Sequence, residues 1–186
     1  MEKPYDIVVY GASGFTGQYA AAEMVRTCIG KKMAIGGRSK TKLMDTLKFI
    51  KKEVKEIDET TIGIIIADNS DEDSIMEMCR QSKAVVNCVG PFRWYGEMVV
   101  RCCVKMSSHY VDISGEPEFL QMCQIKYHDE ALAKGIHIVG MKLITGCLPC
   151  MGFPLRLFLF VLSPSRRCFG SWRGYSVLLL REKHGQ

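Results

Sequence analysis

The sequence predicts a doubly wound α/β domain built on a parallel sheet of about six strands, and three observations carry that reading. Short apolar runs alternate with helix-like stretches along the first 140 residues. Those runs are apolar at consecutive positions, so both faces of each strand require cover, as in a parallel sheet between two helix layers. The first run leads directly into "GASGFTG", residues 11–17, where Gly11, Gly14 and Gly17 stand three apart before a helix-like stretch.

The elements follow in order. "YDIVVY" (5–10) is the first strand, with a helix after it to about residue 29. "MAIGG" (33–37) is the second strand, followed by a Lys-rich helix from 40 to about 56. "TIGIIIA" (61–67) is the third strand, and Ser70 stands three residues before Asp73, a capping-box spacing that predicts the next helix start. "AVVNCV" (84–89), a helix from about 94, "YVDIS" (110–114), a helix from about Pro117 and "HIVG" (137–140) complete the set. Pro117 suits a first helical turn, where its missing N–H is no loss. Right-handed crossovers then fold the strands into a sheet covered on both sides.

Length and composition bound the rest. A chain of 186 residues with 47% apolar content is one globular domain, alone or with an appendage. The apolar run at residue 5 leaves no room before it for a secretory leader. Nine cysteines, odd in number and scattered, read as reduced thiols and small buried hydrophobes in a cytoplasmic protein rather than as a disulfide framework. The net charge of +5 is concentrated: residues 141–186 carry seven Lys and Arg against one acid, which leaves residues 1–140 at −1. A nucleic-acid-binding field is therefore not expected of residues 1–140.

The glycine spacing predicts a dinucleotide cradle. Gly11 makes a tight turn, Gly14 lets the backbone approach a pyrophosphate, and Gly17 lets the helix pack on the strand. The first-turn amides, from Ser13, Phe15 and Thr16 onward, face the anion with the helix dipole behind them. A NAD-selecting fingerprint would place an acid after the second strand to hold the ribose 2′-OH. Here the strand ends "GGRSKTK", with Arg38, Ser39, Lys40 and Lys42. Cations are disfavoured at a helix start, so this cluster calls for an anion such as a 2′-phosphate, and NADP is expected over NAD.

The other strand ends complete the pocket, since ligands of such sheets bind at the carboxyl edge. Asp68 either accepts from the adenine amino group or caps a helix. Asn87, Val89, Gly90 and Pro91 lie along the ribose and nicotinamide half. Tyr95, Ser114 and Glu116 come near the reactive end, but neither they nor His109, at the opposite end of its strand, stand out as catalytic; the catalytic residues stay unassigned. No Tyr-x-x-x-Lys pair stands at a fitting place.

Together "GASGFTG", "GGRSKTKL", "NCVGPFRWYGE" and "DISGEPEF" closely resemble the saccharopine dehydrogenase-like oxidoreductases of animals, and are similar to bacterial trans-acting enoyl reductases. The resemblance spans about residues 5–140. It implies the Rossmann half of an NAD(P)-dependent oxidoreductase, and a place on lipid droplets or in mitochondria.

The resemblance ends where the family continues with a segment of the type "GFDSIPADLG" and a large second domain; this sequence reads "MKLITGCLPCMGF" (141–153) instead. The expected division is a dinucleotide-binding domain over 1–140 and a divergent basic and apolar tail over 141–186, from an alternative or misread carboxyl terminus. Within it "CLPC" (147–150) is a lone C-x-x-C with little redox or metal signal, and no metal site is expected. "FPLRLFLFVLS" (153–163) is too short for a membrane span; it reads as a segment packed on the domain edge or as an interfacial one flanked by Arg166 and Arg167. Three functions stay open: an oxidoreductase fragment that holds NADP, a non-catalytic nucleotide-binding or interaction module, and a product that does not fold stably. Substrate is unassigned, and oligomerisation is left open.

Overall fold

The structure, a computed structural model, describes residues 2–54 and 62–140. Six strands and five helices alternate: β1 Tyr5–Tyr10, α1 Phe15–Thr27, β2 Met33–Gly37, α2 Lys40–Glu53, β3 Ile62–Ile66, α3 Glu72–Gln81, β4 Ser82–Asn87, α4 Phe92–Lys105, β5 His109–Asp112, α5 Pro117–Ala133 and β6 Ile138–Val139. The sheet has the order β3-β2-β1-β4-β5-β6 and every strand pair is parallel. Strand order reverses between β1 and β4, which pair from Tyr5 against Ser82 to Tyr10 against Asn87. That reversal is the switch point beside which such sheets bind ligands.

The two-residue period of the strands divides the apolar side chains between two cores. Val8, Tyr10, Ala34, Ile65, Val85, Tyr110 and Ile138 share one cluster with Met78, Val99, Val100 and Phe119 from α3, α4 and α5. Ile7, Val9, Ile35, Ala84, Val86, Val111 and Val139 share the other with Ala21, Met24, Leu43 and Ile50 from α1 and α2. Each fully buried Ile or Val contributes about 1.5–3 kcal/mol, so both faces are held by the alternation itself.

Several boundaries differ from the sequence reading. The helix before β4 is capped by Asp71, whose side chain accepts from the amides of Asp73 and Ser74, and not by Ser70. Asp71 stands directly before an acidic first turn, Glu72 and Asp73, which the dipole favours. β4 begins at Ser82, two residues before the expected start. α4 begins at Phe92, directly after a cis Gly90–Pro91 peptide.

At the opposite edge of the sheet, the Lys3 ammonium donates to the carbonyls of Cys79, Ser82, Met106 and Ser107 and to Ser108 Oγ. A cation there suits the carboxyl ends of α3 and α4. The six described cysteines are free thiols, and five of them are buried. Burial pushes Cys88, Cys102 and Cys123 up to about 12, as expected of apolar packing groups rather than nucleophiles. Among the described residues no helix is long and apolar enough to cross a membrane. The expectations for 141–186, with "CLPC" and "FPLRLFLFVLS", lie outside the described residues.

Candidate functional site: a dinucleotide cradle

The glycine turn is assembled as its spacing predicts, with a separate physical role for each glycine. Gly11 has φ +80°, and a Cβ there would lie 2.7 Å from Val89 Cγ2. Only a residue without a side chain fits that turn easily. At Gly17 a Cβ would lie 2.1 Å from the Gly11 carbonyl oxygen, so glycine is what lets α1 rest against the turn. At Gly14 a Cβ would meet, among the described residues and beyond its own chain neighbours, one atom within 4 Å, the Gly11 carbonyl oxygen at 3.3 Å, and the space beyond it is open. Gly14 also serves as the N-cap of α1, with no side-chain cap and no acid in the first turn. The helix thus starts with uncapped amides, the positive end of its dipole and room above the backbone, an arrangement that fits a pyrophosphate.

Around this turn Ser13, Phe15 and Thr16 are exposed. The Phe15 ring meets Tyr19 edge-on at 5.3 Å, and Tyr19 meets Phe49 of α2 at 5.1 Å. The aromatic contact braces the start of α1 against α2.

The end of β2 supplies the charge. Arg38, Lys40 and Lys42 are exposed, and the first turn of α2 holds no acid. Ser39 caps α2, with its Oγ accepting from the Lys42 amide at 3.5 Å. Asp68, beyond β3, accepts from the Ser70 amide at 3.0 Å. The Ser70 bonds, with Arg38 acting at longer range, hold its carboxyl below the usual range. Arg38 and Asp68 therefore form one electrostatic neighbourhood across the ends of β2 and β3.

Asn69 belongs here too, although the sequence reading passed over it. Its Oδ1 accepts from Tyr10 Oη at 2.9 Å, and its Nδ2 donates to the Tyr95 carbonyl at 3.2 Å. It ties the loop after β3 to β1 and α4, a role that spacing in the sequence does not signal.

Beyond the switch point, the polar side chains singled out by the sequence are engaged in holding loops. Asn87 is buried; its Nδ2 donates to Tyr110 Oη at 3.1 Å and its Oδ1 accepts from the Val89 amide at 2.9 Å. It shapes the turn that runs through Val89, Gly90 and Pro91. Ser114 is buried and its Oγ accepts from the Glu116 amide at 3.1 Å. Both Glu116 oxygens accept amides at the start of α4. Tyr95 is exposed at the rim. His109 stands at the first residue of β5, far from the carboxyl edge, stacked on His137 and accepting its amide at Nδ1.

A parallel sheet of this order, with a glycine turn and an open helix start at its switch point, defines a Rossmann-type dinucleotide-binding domain. The saccharopine dehydrogenase NADP-binding domain model matches residues 7–139. The chain belongs to that family, and its cofactor is NADP. It is 42% identical over 146 residues to the mouse saccharopine dehydrogenase-like oxidoreductase, across 75% of this chain and 34% of the relative. It is 43% identical over 138 residues to a Caenorhabditis elegans protein named lipid droplet localized protein, across 73% of this chain and 32% of the relative. The chain thus spans about a third of the length of these relatives. Among solved structures, apo saccharopine dehydrogenase (L-Glu forming) from Saccharomyces cerevisiae shares the fold, with TM-score 0.54, 13% identity, and coverage of 72% of this chain and 26% of that one.

Proposed function

We propose that this chain is the cofactor-holding part of an NADP-dependent oxidoreductase. In this reading Gly11, Ser13, Gly14, Phe15, Thr16 and Gly17 hold the pyrophosphate, and Arg38, Ser39 and Lys42 hold the 2′-phosphate. Asp68 borders the adenine, and Asn87, Val89, Gly90 and Pro91 border the nicotinamide half. The observation that carries it is the start of α1, open above Gly14, uncapped and free of acid. NADP, when bound, supplies hydride chemistry; the residues described here bind it and set its orientation.

Two features support a division of labour in which the substrate is held by groups outside residues 7–139. Ser114 and Glu116, expected from the sequence to come near the reactive end, are hydrogen-bonded into loop architecture. The relatives, for their part, are about three times longer than the matched segment. Binding without a positioned substrate gives no transition-state stabilisation, so residues 7–139 by themselves are expected to bind NADP with little hydride transfer. Titration with NADPH, followed by nicotinamide fluorescence, tests the first part; adding carbonyl and enoyl substrates tests the second. Absence of saturable binding would sink the cofactor reading, and steady turnover by residues 7–139 alone would sink the division of labour.

A second reading concerns location. The worm relative is named for lipid droplets, and residues 153–167 combine an apolar run with Arg156, Arg166 and Arg167. Contact with a lipid surface through that stretch is the proposal; flotation with phospholipid-coated triglyceride droplets checks it, and an unbound fraction identical to a droplet-free control would overturn it.

A further inference from the structure

The start of α4 is closed by a carboxylate from a different loop. Glu116 Oε1 accepts from the Phe92 amide at 2.9 Å, and Oε2 accepts from the Arg93 amide at 2.9 Å. The residue at the N-cap itself is Pro91, which makes no side-chain cap, and the first turn of α4 contains no acid. The cap is therefore supplied across 24 residues of chain. It joins the loop after β4 to the loop after β5.

The backbone that carries the carboxylate is itself held. The Glu116 amide donates to Ser114 Oγ at 3.1 Å, and the Ser114 amide donates to Asp112 Oδ1 at 2.9 Å. The helices beneath it are tightly packed: the Phe92 and Phe119 rings lie 5.9 Å apart, and a Cβ on Gly96 would come within 2.6 Å of the Phe119 ring. Two charge-assisted bonds to a helix start fix both distance and direction. They also satisfy the amides that would otherwise draw an anion there. The negative charge of Glu116 leaves α1 as the place for the pyrophosphate.

We propose that Glu116 is a positioning residue for the nicotinamide half of the cofactor. It locks the turn through Gly90 and Pro91 against the loop of Ser114, so that the carboxyl edge over β4 and β5 is shaped before the cofactor arrives. The proposal rests on the reading that NADP lies along that edge, with its adenosine end at Arg38 on the other side of the switch point.

The test uses the full chain with Glu116→Ala and Glu116→Gln, and two probes. NADPH reports on both halves of the site; adenosine 2′,5′-bisphosphate reports on the adenosine half alone. Glu116→Ala is expected to weaken NADPH about tenfold or more, the scale of hydrogen bonds to a charged group, and to reduce the emission gain of bound nicotinamide. Its affinity for the bisphosphate should stay at the wild-type value. Glu116→Gln keeps one acceptor and should fall between, and it carries the test if Glu116→Ala does not fold. Wild-type affinity for NADPH in the variant, or equal weakening of both probes, overturns the proposal while the cofactor reading survives. A wild-type chain that binds neither probe overturns the cofactor reading, and this proposal with it.

Discussion

α1 and α4 both begin just beyond a central strand, on the two sides of the switch point, yet they treat their first amides differently. α1 follows β1 through three glycines and has neither a side-chain cap nor an acid in its first turn. α4 follows β4 through Gly90 and Pro91 and receives both oxygens of Glu116. The two turns touch, since Gly11 faces Val89. A helix start carries about half a positive charge whichever strand precedes it. The difference lies in whether the protein supplies the anion. At α4 it does, and the start becomes a rigid joint between loops. At α1 it does not, and the start remains available to a ligand phosphate.

The largest expected effect comes from closing the open start. Gly14→Val places a branched side chain where the backbone is open to the pyrophosphate, so NADPH binding should be lost while the circular dichroism spectrum stays close to that of the wild type. Gly17→Ala tests the packing of α1 on the turn. Its Cβ would meet the Gly11 carbonyl oxygen at 2.1 Å, so α1 must shift, and stability should fall by about 1–3 kcal/mol, the usual range for overpacking. Chemical denaturation of both variants distinguishes them: an unchanged midpoint for Gly17→Ala, or NADPH binding retained by Gly14→Val, would break the contrast.

Next in size is the charge beside the open start. Arg38→Ala should weaken NADPH by about 1.5–3 kcal/mol, the range for hydrogen bonds to charged groups, and leave NADH nearly unchanged. Competition titration with the two nucleotides reads the difference. Equal loss for both would mean that Arg38 contacts something other than the 2′-phosphate.

A smaller effect comes from the start of α3, in the loop that also holds Asp68. Asp71→Ala removes the cap of α3 and should lower stability by about 1 kcal/mol. Ser70→Ala should change little, because Asp71 receives the amides of Asp73 and Ser74. The pair of variants also shows what the sequence reveals and what it conceals. The spacing of Ser70 and Asp73 is a fair cap signal, but the adjacent Asp71 competes for the same amides, and spacing alone does not rank them. The strands were legible because each is apolar on both faces, and the glycine turn was legible because Gly11, Gly14 and Gly17 are local in sequence. The start of α4 was not, since its cap arrives from Glu116, 24 residues away. The bonds of Asn69 to Tyr10 and Tyr95, and of Asn87 to Tyr110, were hidden for the same reason: these partners are set by the fold.

The smallest expected effect lies at the opposite edge of the sheet and serves as a control on the whole comparison. Burial first, then the nearby charges of His137 and Lys3, lower the His109 imidazole to about 4. Its Nδ1 accepts the His137 amide at 3.0 Å, which requires that nitrogen to be unprotonated. The unfolded chain takes up a proton near the ordinary histidine value of about 6.5, whereas the folded chain resists until about 4. The unfolded state therefore binds more protons across that window, so stability falls as pH drops through it and is unaffected by His109 above it. The residue is partly exposed, and screening keeps the slope shallow. His109→Phe, measured by urea denaturation from pH 7 to pH 4.5, should flatten that slope relative to wild type. NADPH affinity at pH 7 should be the same in both, because the α1 start and the Glu116 joint stand at the other end of the strands. A slope unchanged by the substitution would assign the acid sensitivity to other groups, and a changed NADPH affinity would show that the two edges of the sheet are coupled.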